Sequence, residues 1–164
     1  MSVFEISLVL SALLCALVAG FVFAFASVVM PGIRALNDRD FLRAFKAMDL
    51  VIQRNQPLFM LVWVGSVLAL VTSALLSFRH LAGADHLLLV LAAAIYRLGV
   101  LLTNTTIKSP LIKQLQKLDL VGVYDSEFSD ARVRLEERWV KWNRIRTALA
   151  VLASALLIVL SLRI

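Results

Sequence analysis

Glu136, Trp139, Asn143 and Arg146 fall at i, i+3, i+7 and i+10 in a segment that runs without Gly or Pro into the almost wholly apolar residues 147–162. At 3.6 residues per turn the four make one stripe of a helix. The apolar tail is shorter than the roughly 20 residues a spanning helix needs, so Asn143 and Arg146 are drawn into the membrane, where polar groups must face protein and not lipid. The remaining helices are expected to assemble around this stripe. Arg97 is the second intramembrane cation, near the midpoint of the third apolar run, where insertion on a lone helix costs ~3 kcal/mol. The expectation is that it forms the floor of a cavity, with Arg146 nearer the mouth. The bland reading, that Arg97 snorkels or bonds helix carbonyls, weighs equally.

The chain has 164 residues, 61% of them apolar, and a formal charge of +6, with a mean hydropathy of +0.88. These values define an integral membrane protein of one domain, 1–164, and set aside a nucleic-acid role for the excess charge. Spans are predicted over about 5–30, 57–78, 85–104 and 143–162, giving an all-α, antiparallel four-helix transmembrane bundle. Ala24-Phe25-Ala26 imitates a signal-peptidase site, but the residues before the apolar run carry no Lys or Arg, so the run is read as the first span. Ala12, Ala16, Gly20 and Ala24 mark its packing stripe, and Met30-Pro31-Gly32 is expected to end it. Phe41, Phe45, Met48 and Ile52 then share one face of a short amphipathic helix in the first loop, expected to lie in the headgroup plane as a lipid-facing anchor. Leu111, Leu115 and Leu118 give the third loop a second such helix. His80 and His86 belong to a short turn and make a poor metal constellation. Cys15 is the single cysteine, so no intramolecular disulfide forms.

Charge sets the orientation. Loops one and three hold nearly all the Lys and Arg, the second loop only Arg79, which puts loops one and three in the cytoplasm and both termini on the far side of the inner (cell) membrane. Depth then groups Asn55 and Gln56 at the start of the second span, Asn104 near the end of the third, and Asn143 and Arg146 at the start of the fourth. Trp139 and Trp142 mark the interface, with the inward-facing one of the two left open. The resulting picture is a cytoplasm-facing cleft with amide walls and a cationic floor, suited to an anionic or phenolic group on a lipophilic molecule.

Gly20-Phe-Val-Phe-Ala-Phe-Ala-Ser-Val-Val-Met-Pro31, Asn55-Gln-Pro57-Leu-Phe and Arg138-Trp-Val-Lys-Trp-Asn143-Arg-Ile-Arg146 resemble the anthrone-oxygenase-like family of small four-helix membrane proteins. Where the family pattern favours Asn-Val-Pro-Leu-Asn, this chain has Lys108-Ser109-Pro110-Leu111-Ile112. The resemblance implies oxidation of an electron-rich polycyclic phenol such as an anthrone by dioxygen, without an obvious organic cofactor; no cofactor or metal ligand is assigned, and a redox-metal or haem protein is a third reading. A base would remove the acidic ring proton and cations would hold the carbanion. In that scheme Arg97, Arg146 and Glu136 are the catalytic candidates, with Glu137 the alternative base, and Asn55, Gln56, Asn104, Trp139, Trp142 and Asn143 contact substrate. The competing reading is a non-catalytic membrane protein that binds a lipophilic small molecule or serves as an accessory subunit. Its partners would be the lipid bilayer and either further copies of itself or a larger membrane complex.

Overall fold

The structure, a computed structural model, describes residues 2–102 and 125–164. Asn104, the second amphipathic stretch of 111–118 and the Lys108–Ile112 motif lie outside the described residues. Every described element is helical. Helix α1 spans Val3–Ala24, widens into a π-helical turn over Phe25–Val29 and continues as α2, Met30–Arg34. Then come α3, Asp38–Gln53, α4, Pro57–His80, and α5, Gly83–Tyr96, which runs into a second π-helical stretch over Arg97–Leu102. The last helix, α6, covers Asp125–Arg163. Four continuous helical stretches, Val3–Arg34, Pro57–His80, Gly83–Val100 and Phe128–Arg163, are long and apolar enough to cross a membrane. The protein is multi-pass.

Pro31 does not stop the first helix. It lacks an N–H and its ring crowds the carbonyl one turn back. The backbone takes up the mismatch by widening, so that Met30 N–H reaches Phe25 O, five residues earlier, and Pro31 falls in the first turn of a fresh α segment, where its missing donor costs nothing.

Packing sorts the apolar side chains. Leu8, Cys15, Val22, Leu89, Tyr96, Ala153 and Leu157 are buried where α1, α4, α5 and α6 meet. Leu61, Leu68, Leu75 and Leu87 remain about two-thirds exposed, an apolar exterior that suits lipid. Helix α1 packs most closely on α6 and α4, and α5 on α6. Small hydroxyls stitch α1 to α4: Ser73 Oγ meets Ser7 and Ser11 Oγ at 3.0 Å each, and Ser66 Oγ lies 2.7 Å from the Tyr96 hydroxyl of α5. Gly99 allows the closest approach, since a Cβ there would lie 2.5 Å from Leu149 Cβ.

Helix α3 corrects the lipid-anchor expectation. Phe41, Leu42 and Phe45 are fully buried against Met30, Phe128, Leu135 and Trp139, so its apolar face meets protein. The partner surface exists because α6 has 39 residues, roughly 58 Å at 1.5 Å per residue and so about twice the hydrocarbon thickness. Arg132 locks the dock. Its Nη1 donates to Leu36 O and Asp38 Oδ1, each at 2.8 Å, its Nη2 donates to Arg34 O at 2.7 Å, and its guanidinium lies 4.6 Å from the Phe41 ring centre. It thereby gives donors to carbonyls at and just beyond the C-terminal end of α2. Arg132→Ala is expected to cost about 1–3 kcal/mol and to release α3 first. Hydrogen exchange should show faster exchange over α3 than over α4 and α5; uniform acceleration would contradict the clamp.

Candidate functional site

The stripe on α6 turns inward as the helical spacing requires. Trp139, Asn143 and Arg146 are each at most 6% exposed, and Trp142 is half-buried, which decides between the two indoles. Asn143 is the junction. Its Nδ2 donates to Val22 O of α1 at 3.1 Å, just before the π-helical turn, and its Oδ1 accepts from Arg146 Nη2 at 2.6 Å. Arg146 Nε is buried with no hydrogen-bond partner. A sequestered guanidinium N–H without an acceptor is costly, and such a group marks a place where an acceptor can be received.

Arg146 lines a small chamber together with Phe21, Phe25, Phe45, Asp49 and Trp139. The chamber leaves about 20 Å³ for the centre of a water-sized sphere, room for about one water molecule. A second, larger space of about 370 Å³ lies between α1 and α4, lined by apolar and aromatic groups including Leu17, Phe21, Phe59 and Trp63, with Gln56 at its edge. That volume is of drug-sized ligand scale. Phe21 belongs to both linings.

The rings form a continuous series. Trp63 and Phe59 stack at 5.5 Å, Phe59 meets Phe21 at 5.4 Å, Phe21 meets Phe25 at 5.1 Å, Phe25 meets Trp139 at 5.7 Å, and Trp139 meets Phe45 edge-on at 5.6 Å. These centroid separations lie in the attractive range for offset and tilted pairs. The series carries an aromatic surface from the groove to the chamber. Its sequence signal was the recurrence of i, i+4 aromatic pairs, Phe21 with Phe25, Phe41 with Phe45 and Phe59 with Trp63.

Other expected site residues lie elsewhere. Arg97 is exposed and does not form the chamber's floor. Helix α5 buries Leu89, Ala92 and Tyr96, and Arg97, one residue or about 100° further round, points off that face. Glu136 is held by Arg34 Nε at 2.5 Å and by Arg132 Nε at 3.5 Å. It lines a separate open groove with Arg34, Lys141 and Arg144, outside the chamber. Asn55 is exposed in the turn between α3 and α4 with φ of 53°, a left-handed conformation that Asn tolerates. Gln56 caps α4, its side-chain oxygen accepting from Phe59 N–H at 2.5 Å. At the other end of α4, His80 stacks on Phe4 at 5.1 Å and His86 Nδ1 lies 3.2 Å from Ser77 Oγ.

The residue missed in the sequence is Asp49, 5% exposed on α3. It continues the buried face of Phe41 and Phe45 at i+8 and i+4, so an acid in an apolar register was its legible signal. Gln53 Nε2 donates to its Oδ2.

A multi-pass helical protein with a buried arginine, a buried carboxylate and an aromatic groove is the class that fold and site define. The family model described as anthrone oxygenase matches residues 48–156, more than half of the chain, and the protein belongs to that family. Searches among curated proteins and among solved structures find no match.

Asn143→Ala removes both the tie to α1 and the acceptor for Arg146. It is expected to lower stability by about 1–3 kcal/mol, read as a reduced melting temperature in detergent. An unchanged melting temperature would show that the junction does not hold α1 to α6.

Proposed function

We propose that the protein is a membrane oxygenase that takes a lipophilic, polycyclic phenol from the bilayer and oxidises it with dioxygen. The observation that carries the reading is Arg146: a buried guanidinium with an unsatisfied N–H, beside a chamber whose wall, Phe21, is shared with an aromatic groove. The antiparallel bundle stands with loops one and three in the cytoplasm, as their excess of Lys and Arg favours.

Substrate rings occupy the groove between α1 and α4, against Phe59 and Trp63, where stacking and desolvation favour flat aromatic molecules. As it stands, the chamber has no room for a ring system. Rotation of Phe21 joins the two spaces and lets a ring oxygen reach Arg146. Loss of a proton from the substrate spreads negative charge onto that oxygen. A fixed guanidinium in a water-poor site stabilises the charge far more than water would, because its dipoles need no reorganisation. Asn143 holds the guanidinium in place through the bond to Nη2. Arg97 and Glu136 have no part in this scheme, being respectively exposed and held in ion pairs.

Oxygen uptake by the purified chain with anthrone as substrate tests the proposal. Arg146→Leu is expected to lower kcat/KM by about 10²–10³-fold, the usual loss on removing one oxyanion donor, while Arg146→Lys keeps part of the rate. Wild-type protein that binds anthrone without consuming oxygen would reject the oxygenase and leave a binder or carrier.

A further inference from the structure

We propose that Asp49 is the base that takes the substrate's proton. The assignment rests on the oxygenase reading and supplies the group it lacks. Asp49 and Arg146 come from helices α3 and α6 and line one chamber, so a single bound molecule can face both, its acidic carbon toward the carboxylate and its oxygen toward the guanidinium.

Five other acids among the described residues are placed for other work. Glu136 is tied to Arg34 and Arg132. Asp38 receives Arg132, Asp40 meets Asn37 and Arg43, and Asp85 pairs with Arg163 at the opposite end of the bundle. Glu137 lines the open groove outside the chamber. Asp49 alone of these combines burial with a place in the chamber's wall.

Burying a carboxylate among Phe25, Phe45 and Trp139 disfavours folding unless hydrogen bonds or opposite charge offset it. Replacing it by Leu or Met would continue the apolar face begun by Phe41 and Phe45. The position therefore has a structural reason to be apolar and a chemical reason to be acidic. Its position is fixed because the Arg132 clamp and the buried Phe41 and Phe45 set the register of α3 on α6. Gln53, one turn on, orients the carboxylate through its Nε2.

The chemistry balances for a methylene flanked by two aryl rings and conjugated to a ring ketone. An Asp49 oxygen removes one methylene proton, and the C–H electron pair moves through the ring onto the ketone oxygen, which lies against Arg146. The anion's carbon adds dioxygen, forming a C–O bond and a peroxide anion, and the proton on Asp49 passes to that peroxide. Loss of water from the hydroperoxide breaks the O–O bond and the second C–H bond and leaves a new carbonyl. In sum, CH2 and O2 give C=O and H2O. Carbon loses four electrons and dioxygen gains four.

Asp49→Asn and Asp49→Glu in the full chain test the assignment with anthrone as the probe. Three quantities are measured: oxygen uptake, anaerobic exchange of the methylene hydrogens with D2O, and anthrone binding by tryptophan fluorescence. The expected result is that wild-type protein accelerates the exchange, that Asp49→Asn loses both exchange and uptake by about 10²–10⁴-fold with binding changed less than about threefold, and that Asp49→Glu recovers part of both rates. Wild-type-like exchange and uptake in Asp49→Asn overturns the assignment while leaving the oxygenase reading intact. Loss of binding and of thermal stability in both variants, in step with activity, also overturns it, since Asp49 would then only support the fold. Wild-type protein that binds anthrone but neither exchanges its hydrogens nor takes up oxygen overturns both readings.

Discussion

A guanidinium in the middle of a helical bundle constrains everything near it. Arg146 sits on a helix whose following residues are almost entirely apolar, so its charge is carried inward by the same burial that packs Ala150, Ala153 and Leu157. Once inside, it needs acceptors that lipid cannot give. Asn143, one turn earlier on the same helix, gives one, and with its other end takes the Val22 carbonyl of α1. One amide thus couples the placement of a charge to the docking of two helices. The remaining unsatisfied N–H is tolerated at a cost in stability, as is usual where a site is kept ready for a ligand.

Two irregularities of the backbone lie close to this centre. The π-helical turn of Phe25–Val29 begins three residues after Val22 and delivers Phe25 to both Trp139 and the chamber. Its cause is Pro31, one turn beyond, so a residue that would normally break a helix here re-aims an aromatic ring. The stretch Arg97–Leu102 repeats the device on α5, where Gly99 lets the backbone lie against Leu149 of α6. Wide turns of this kind occur often at functional sites because they shift side chains by a fraction of a turn without ending the helix.

The apolar face of the first-loop helix is covered by protein, where its amphipathic pattern suggested lipid. Apolar residues at i, i+4 and i+7 say only that one face avoids water. Lipid and protein satisfy that pattern equally, and the choice fell to protein because α6 extends far enough to present Leu135 and Trp139 as a docking surface. With α3 seated there, a carboxylate that its register places on the helix's apolar face is enclosed in one chamber with an arginine. The same seating adds Phe45 to the series of rings that α1, α4 and α6 already form.

The sequence by itself determined the four spanning stretches, the inward stripe of Trp139, Asn143 and Arg146, and the family, because hydropathy over twenty residues and helical periodicity are local properties. It also carried the three aromatic pairs at i, i+4, although nothing local says that they meet. Tertiary structure decided which intramembrane arginine is sheltered. Arg97 and Arg146 look alike in apolar surroundings, and only the face that each helix buries separates them: Tyr96 and Val100 take the inside of α5, whereas Arg146 takes the inside of α6. Asp49 became part of the site, and Glu136 was removed from it, for the same reason. Which acid faces which base depends on how α3 seats against α6, a contact between residues about ninety positions apart that no periodicity along the chain encodes.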